Sequence, residues 1–265
     1  MRIWYQTGST YRYDLSREAY GRTLEEQCKR AARSDSEVYV TGVPVSQPGI
    51  DRFKSLMYYH TNQMLNGMIR AEKEGYDVVV IGNSYDIGFD EAREMLEIPV
   101  VGIAHSNFYV AAMIGELFAV LTCEYHIAER YRQMIRRYGM ESKFLGTYVH
   151  SIPEIELIRG VEKPDAVMEE FKRVAEKAVA DGASVLICVP APIYALFYQR
   201  GGLSSVNGAT LLDPVATAIK MGEFLVELKE LGMDVSRKLG VYGSPGKELL
   251  KKTFETYGPS FRIEH

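Results

Sequence analysis

The sequence predicts an α/β fold made of two similar lobes, each with a parallel sheet flanked by helices, and a cleft between the lobes. Short apolar runs alternate with longer amphipathic segments along the chain, which is the pattern of strand–helix–strand units in a parallel sheet. The run at 78–81 is apolar at every position, as expected for a strand covered on both faces. The stretch GYDVVVIGNSYDIG from Gly75 has the same layout as GASVLICVPAPIYA from Gly182. This internal duplication indicates two pseudo-symmetric, Rossmann-like (flavodoxin-like) lobes.

The first half of the chain is predicted to contain four strands joined by helices. The strand segments are short and rich in aliphatic and aromatic residues, and in chain order they are MRIWYQ, EVYVTGVP, DVVVIG and PVVGI. The segments between them place apolar residues on one helical face, over 15–32, 52–74 and 90–96. The second of these helices is followed by Gly75, a typical residue at the end of a helix.

The second half of the chain repeats the alternation. Its predicted elements are a helix over 110–117, a strand FAVLT, a helix EYHIAERYRQMIRRYG, a strand KFLGTYVH, a helix over 164–181, a strand ASVLICV, a short helix or turn IYALFYQR, a strand ATLLD and a helix from Pro214 to about Leu231. The segment GSPGKELLKK lacks the spacing of a phosphate-binding loop. It is predicted to be a turn followed by an exposed helix.

Composition and charge exclude several classes of function. Of the 265 residues, 46% are hydrophobic and 25% are charged, so the chain can bury a substantial core. The net charge is −4 and there is no block of Lys and Arg, which argues against nucleic-acid and membrane-surface binding. The start MRIWYQTGST is too polar for a signal peptide, and no apolar run reaches the length of a membrane span. Three scattered cysteines and five histidines without a metal-binding spacing favour the cytoplasm and predict neither a disulfide nor a metal site.

Four polar residues follow the third predicted strand, at the edge where open α/β sheets bind ligands. Asn83 and Ser84 are expected to donate hydrogen bonds to a carboxylate or an enolate, or else to cap the turn. Tyr85 is either a phenolic donor or a packing aromatic. Asp86 becomes a usable base if burial raises its pKa, but it is equally suited to cap the following helix.

Other candidate residues lie at the ends of neighbouring strands. In the loop QTGST, the hydroxyls of Thr7, Ser9 and Thr10 are expected to hold a carboxylate or an imide oxygen, unless the loop is an ordinary polar turn. His105 is the histidine expected at a strand end, and imidazole has a suitable pKa for proton transfer, although a hydrogen-bonded structural role is the alternative. Tyr194 lies after the strand ASVLICV and suggests an aromatic pocket.

Several segments together resemble the aspartate/glutamate/hydantoin racemase superfamily, and most of all its hydantoin and allantoin racemase branch. These segments are DVVVIGNSYDIGFDEAREMLEIPVVGI, FAVLT, AERYRQMIRRYGM, AVADGASVLICVPAPIYAL and LLDPVATAIKMGEFLVELKELGM, and the resemblance covers roughly 1–240. It implies a cofactor-independent isomerase that forms a homo-oligomer and acts on a small carboxylate or a cyclic imide or amide. It also implies that Thr122 contributes to the substrate pocket.

The resemblance further implies a domain division, because the segment after Asp213 crosses back to complete the first lobe in that family. The predicted limits are 1–106 with 213–245 for the first lobe, 107–212 for the second lobe and 246–265 for a C-terminal extension.

The sequence departs from the family at the two thiols that exchange the substrate proton there. The first thiol position, eight residues after Gly75, is Asn83, and an amide is not a base near neutral pH. Eight residues after Gly182 is Pro190, which leaves Cys188 inside the strand. A two-residue deletion would instead align Cys188 with the second thiol and keep its side chain on the same face of the sheet. Both alignments stay open at this point.

The expected function follows from this altered pair. The resemblance implies chemistry at a carbon next to a carboxyl or imide carbonyl, on a hydantoin-like or amino-acid-like substrate, without the two-thiol mechanism. One alternative is a one-base lyase, such as a decarboxylase of an aryl- or alkylmalonate-like acid, with Cys188 as proton donor. A cysteine-independent hydrolase or a small-molecule binder without turnover is the other alternative.

Overall fold

The first lobe is built on a four-stranded parallel sheet. The computed structural model describes residues 1–13, 18–46, 49–50, 53–152, 164–199, 201–236 and 243–257. The sheet has the order β2-β1-β3-β4, with β1 at Arg2–Thr7, β2 at Glu37–Thr41, β3 at Val78–Gly82 and β4 at Val100–Gly102. Each pair is parallel, so the carboxyl ends of all four strands lie at one edge.

The second lobe is built on a five-stranded sheet with the order β6-β5-β7-β9-β8. Its strands are β5 at Phe118–Thr122, β6 at Phe144–Val149, β7 at Val185–Cys188, β8 at Ser205–Val206 and β9 at Ala209–Leu212. The α/β fold of two lobes with parallel sheets is thus confirmed, with one exception at the sheet edge. There β8 and β9 pair in antiparallel fashion around Asn207 and Gly208, which both have positive φ, as an Asn-Gly hairpin turn requires.

Nine α-helices lie within the described part of the chain. They are α1 at Glu18–Ala31, α2 at Lys54–Lys73, α3 at Phe89–Met95, α4 at Ile103–Ile114, α5 at Tyr125–Arg137, α6 at Pro164–Ala180, α7 at Ala191–Gln199, α8 at Pro214–Glu230 and α9 at Lys247–Tyr257. Most agree with the predicted segments. The exception is α4, which begins directly after β4, seven residues earlier than the helix predicted over 110–117.

Helix α8 joins the end of the second lobe to the first lobe. It packs on α1, α4, β3 and β4, and the Asp213 carboxylate caps it by accepting hydrogen bonds from Val215 N and Ala216 N at 3.1 and 3.0 Å. The buried Glu223 carboxylate accepts hydrogen bonds from Arg33 N at 2.7 Å and Ser36 Oγ at 3.0 Å. The expected return of the chain after Asp213 is therefore present, while the predicted domain limits stay predictions.

Both sheets are covered by apolar side chains on their two faces. In the first lobe, Trp4 and Met64 belong to the cluster on one face, whereas Tyr5 and Leu24 belong to the cluster on the other. Burying a large apolar side chain contributes roughly 1.5–3 kcal/mol, so each sandwich is a stable platform for the strand ends. None of the helices described is long and apolar enough to span a membrane.

Candidate active site at the ends of β3 and β7

The duplicated turns after β3 and β7 meet between the two lobes. The Ala191 N–H, directly after the β7 turn, donates a hydrogen bond to Ser84 Oγ at 3.4 Å. From the second lobe, the Tyr131 hydroxyl also donates to Ser84 O at 2.7 Å. A small cavity lies beside this junction, lined by residues such as Ser84, Ala104, Asn107, Cys188 and Ala191. The strand ends predicted to face each other across a cleft are thus in contact.

Asn83 lies at the carboxyl end of β3 with a fixed amide orientation. Its Oδ1 accepts a hydrogen bond from Tyr85 N at 2.9 Å, so the other amide atom, Nδ2, is the donor. This nitrogen points to the loop after β1, where it lies 2.8 Å from the position that a Cβ on Gly8 would take. Asn83 therefore presents an N–H donor to the space between these two strand ends.

A histidine that is absent from the predicted site residues lies beside Asn83. His60, on α2, is 1% exposed, and its Nε2 is 3.0 Å from the same Cβ position on Gly8. The Asn83 Nδ2 and His60 Nε2 atoms are therefore less than about 6 Å apart. One sequence signal could have found His60. It is spaced four residues apart from Met64, which is four residues from Met68, and this spacing predicts that all three lie on the same buried face of α2.

The loop after β1 brings three hydroxyls to the same edge. Thr7 and Thr10 are buried and Ser9 is partly exposed. Thr7 Oγ1 accepts a hydrogen bond from Ser9 N at 3.3 Å, and Ser9 Oγ accepts one from Tyr11 N at 3.4 Å. Thr7 Oγ1 also donates a hydrogen bond to Ser9 Oγ at 3.5 Å. These local bonds order the turn, and they leave the Ser9 hydroxyl proton as a donor for a ligand.

Tyr85 packs between groups of the second lobe. Its ring centroid is 5.8 Å from that of Tyr131, and the Arg130 guanidinium carbon lies 4.0 Å from the Tyr85 centroid. These contacts fit the packing alternative for Tyr85 and place a cation–π pair across the junction of the lobes.

Asp86 caps α4 from a buried position. Its carboxylate accepts hydrogen bonds from Ala104 N at 2.9 Å, His105 N at 2.8 Å and the Tyr138 hydroxyl at 2.9 Å. Burial raises the pKa of Asp86 to about 6, although these three hydrogen bonds favour the ionised form and oppose the shift. Since both oxygens accept hydrogen bonds, Asp86 has a structural role, but the helix that it caps is α4 and not the following helix α3, as the alternative had it.

His105 lies in the first turn of α4, not at a strand end as expected. Its ring packs against Phe89, Tyr109 and Tyr138, with centroid distances of 4.9, 4.7 and 4.9 Å. Burial lowers the pKa of His105 to about 4. The expectation failed because the cap supplied by Asp86 starts the helix immediately after β4.

The second-lobe turn offers no ionisable group at the place equivalent to Asn83. Pro190 occupies that place and is buried, and its carbonyl accepts a hydrogen bond from Ile193 N at 3.1 Å in the first turn of α7. Cys188 is the last residue of β7, fully buried in the hydrophobic core with Leu186 and Ile193. Burial raises its pKa well above the usual value, so Cys188 holds its proton. Both alignments of the second thiol position, with Pro190 or with Cys188, stay predictions.

The ends of β5 and β6 carry two further buried polar side chains. Thr122 is fully buried, and its carbonyl accepts a hydrogen bond from His150 N at 2.8 Å. His150 directly follows β6 and is 1% exposed, and burial lowers its pKa to about 4. His150 therefore lies at a strand end. The sequence already indicated this place, because His150 is the last residue of the predicted strand KFLGTYVH.

Tyr194 lies in α7 and is buried. It belongs to the core cluster with Cys188 and packs against Phe197 at a centroid distance of 6.3 Å. Burial raises its pKa well above the usual value. Tyr194 therefore contributes a packing aromatic at the base of the second-lobe turn. Within the described ranges, no group of three or more His, Cys, Asp and Glu side chains is placed to hold a metal ion.

Comparisons with known proteins agree with the two-lobed α/β fold. The family model for Asp/Glu/Hydantoin racemase matches residues 15–222. The chain is 28% identical to a hydantoin racemase from Pseudomonas sp. (strain NS671), over 89% of this chain and 90% of that protein. Allantoin racemase from Klebsiella pneumoniae superposes with a TM-score of 0.76 at 22% identity, covering 98% of this chain and 99% of that one. Allantoin racemase from Pseudomonas fluorescens also gives 0.76, at 20% identity and with 92% and 97% covered.

Proposed function

The chain belongs to the Asp/Glu/Hydantoin racemase family, and we propose that it is a cofactor-independent isomerase acting on a cyclic imide or amide of the hydantoin type. The reaction is removal and return of the proton on the carbon next to a ring carbonyl. The assembly and the cellular compartment stay predictions.

The observation that carries the proposal is the contact between the two duplicated turns, through Ser84 Oγ and Ala191 N. A reaction that takes a proton from one face of a carbon and returns one to the other needs groups on two opposing walls. The carboxyl ends of β3 and β7 form two opposing walls, and because Pro190 carries no ionisable group, water is the proton source on the second side. The similarity to a hydantoin racemase over 89% of the chain supports a reaction of this class.

The neutral lining favours a cyclic imide over a free amino acid. The hydroxyls of Thr7, Ser9 and Ser84 and the amide of Asn83 both donate and accept hydrogen bonds without carrying charge. The ring N–H and C=O groups of a hydantoin match such partners. A free carboxylate is better bound by a guanidinium or an ammonium group, and none of these four side chains is cationic.

The Asn83 amide is suited to stabilise charge that develops on the substrate. When the proton leaves, its bonding electrons form a carbon–carbon double bond and the carbonyl oxygen becomes an enolate. Because the Tyr85 N–H holds Asn83 Oδ1, the Nδ2 donor is already oriented before the reaction. Preoriented donors of this kind typically contribute a hundredfold or more to the rate.

Proton NMR in D2O tests the proposal, with a panel of 5-substituted hydantoins, allantoin, amino acids and aryl-substituted acids. We expect exchange of the proton at the hydantoin C5 together with loss of optical activity. Exchange restricted to amino acids would assign amino acids, and not hydantoins, as the substrate class. The absence of exchange with every compound would contradict an isomerase that acts on this panel.

A one-base lyase acting on a malonate-like acid is the second candidate, because Pro190 cannot supply a proton on the second wall. Burial raises the pKa of the Cys188 thiol, which makes it a poor proton donor for such a reaction. Loss of a carboxyl group as CO2 in the same NMR tubes would favour the lyase. Saturable thermal stabilisation without turnover would indicate a binder instead.

A further inference from the structure

His60 lies at the first-lobe wall of the site, next to the place where the family has its first thiol. We infer that His60 is the acid–base group of this wall and that its imidazole takes the substrate proton in place of the missing thiol. The inference rests on the proposed function and names the residue that performs its first step. It is carried by the position of His60 on α2, by the space at Gly8 and by the chemistry of the neighbouring side chains.

The topology of the first lobe places His60 at the reactive edge. Helix α2 follows β2 and connects it to the parallel strand β3, so it runs back across the sheet and its first turns lie near the carboxyl ends of the strands. Its buried stripe consists of His60, Met64, Met68 and Ala71. The latter three pack on β1 and β3 in the hydrophobic core. His60 continues that stripe beyond the apolar core, at the end nearest Asn83.

Gly8 provides the room that the imidazole occupies. A Cβ at this position would lie 3.0 Å from His60 Nε2 and 2.8 Å from Asn83 Nδ2. Contacts this short require both side chains to move, so any larger residue at position 8 displaces the histidine or the amide. The absence of a side chain at Gly8 therefore lets the loop after β1, the end of β3 and the first turns of α2 come together.

The other side chains at this edge are poorly suited to remove a proton. Thr7, Ser9 and Ser84 carry alcohols, which do not ionise near neutral pH. Asp86 uses both of its oxygens to cap α4. Imidazole, in contrast, has a nitrogen lone pair that accepts a proton, and the imidazolium formed returns it as an acid.

The proposed step balances without a cofactor. A nitrogen of His60 takes the proton from the carbon next to the carbonyl, and the electrons of the broken C–H bond form the enolate. The Asn83 N–H donates a hydrogen bond to the enolate oxygen. The imidazolium then returns the proton to carbon on the same face or exchanges it with solvent. A water molecule that protonates carbon from the opposite face inverts the centre, and the hydroxide it leaves takes the proton from the imidazolium.

The test compares the unaltered protein with His60→Gln, His60→Asn and His60→Ala, using deuterium exchange at C5 of a 5-substituted hydantoin. We expect kcat to fall at least about a hundredfold in the first two variants, the usual contribution of a general base, while KM stays within about threefold. Added imidazole should restore part of the lost rate in His60→Ala, which a purely structural histidine would not allow. Met64→Leu, one turn along the same stripe, is the matched control and should retain its rate.

The outcomes separate this assignment from the proposed function. Full exchange activity in folded His60→Gln overturns the assignment alone, and so does an equal loss in Met64→Leu. No exchange by the unaltered protein with any hydantoin overturns the proposed function and the assignment together. Should the His60 variants fail to fold, the NMR signals of the histidine rings in the unaltered protein test the assignment instead. Saturation with a planar 5-benzylidene hydantoin must shift one histidine signal strongly, and binding without such a shift overturns the assignment.

Discussion

The turns after β3 and β7 occupy equivalent places in the two lobes but carry different chemistry. The first turn presents the Asn83 amide, with the His60 imidazole less than about 6 Å away. The second turn presents Pro190, preceded by Cys188 in the hydrophobic core. A shared backbone layout therefore does not imply shared reactive groups. Each wall of the site has to be judged from its own side chains.

Two buried ionisable groups, Asp86 in the first lobe and His150 in the second, differ in how their contribution to stability changes with pH. Beside the first turn, burial raises the pKa of Asp86 to about 6. In the second lobe, burial lowers the pKa of His150 to about 4. Desolvation has the same physical origin in both cases, because it favours the neutral form of an acid and of a base. The contributions of Asp86 and His150 to stability should therefore change in opposite directions as the pH falls.

The largest expected effect comes from closing the space at the first wall. In Gly8→Ala, the new methyl group would lie within 3.0 Å of both Asn83 Nδ2 and His60 Nε2. We expect hydantoin exchange to fall about a hundredfold, since a displacement of about 1 Å costs that much when groups must be aligned. Stability should fall by about 1–3 kcal/mol, as in other overpacked sites. Exchange rate and urea unfolding measure the two effects.

Gly146→Ala is the matched control for that prediction. A Cβ at Gly146, on β6, would have its nearest neighbour, Tyr148 Cε2, at 3.6 Å, which is an ordinary contact. We expect unaltered exchange in this variant. If Gly8→Ala keeps full activity, the reaction tolerates displacement of the Asn83 and His60 side chains. The proposed difference in chemistry between the two turns would then be contradicted.

The second prediction concerns His150 on the second lobe. Its pKa is about 4 in the folded protein and about 6.5 in the unfolded chain, so the unfolded state binds more protons between these values. Stability is therefore lost as the pH falls from 6.5 to 4, by roughly 3 kcal/mol. Because Gln cannot take up the proton, the His150→Gln variant should lose about 3 kcal/mol less stability than the unaltered protein between pH 7 and pH 4. An equal acid loss in both proteins, measured by urea unfolding, would contradict a buried neutral imidazole.

The fold was more predictable from the sequence than the site, for physical reasons. Continuous apolar runs such as 78–81 identify buried strands without any knowledge of tertiary contacts. The start of α4 was misplaced because its cap, Asp86, lies 18 residues from Ala104 in the chain. The antiparallel β8 was missed although Asn207–Gly208 is a strong hairpin signal. Site residues that follow a strand, such as Asn83, can be found from sequence order alone.

His60 shows why the remaining site residues were not predicted. Its spacing from Met64 and Met68 indicates a buried face of a helix, and a buried histidine at such spacing is indistinguishable from a core residue. Only the direction of α2 across the sheet shows which end of that face meets the strand ends. His150 was within reach of the sequence, since it ends a predicted strand, but its burial depends on packing in the second lobe.

The third prediction tests the opposite response of the buried Asp86 carboxyl. The folded-state pKa of about 6 exceeds the value of about 3.9 expected for the unfolded chain, so the folded protein binds more protons between these values. Asp86 therefore adds stability as the pH falls from 7 to 4, by about 2 kcal/mol. The stability difference between the unaltered protein and Asp86→Asn should increase by that amount over this interval. A difference that shrinks in acid would show that the three hydrogen bonds outweigh desolvation.

The smallest expected effect is that of Cys188→Ala, which tests the second turn directly. Because the Cys188 side chain is packed among Leu186, Ile193 and other apolar residues, removing its sulfur should cost about 1 kcal/mol of stability. Hydantoin exchange should stay within about twofold of the unaltered rate, since the thiol does not take part in the reaction. Asn83→Ala, at the equivalent turn of the first lobe, should lose about a hundredfold in the same assay. If Cys188→Ala folds normally but loses exchange as strongly as Asn83→Ala, the thiol acts on the substrate, and the two turns share more chemistry than their side chains indicate.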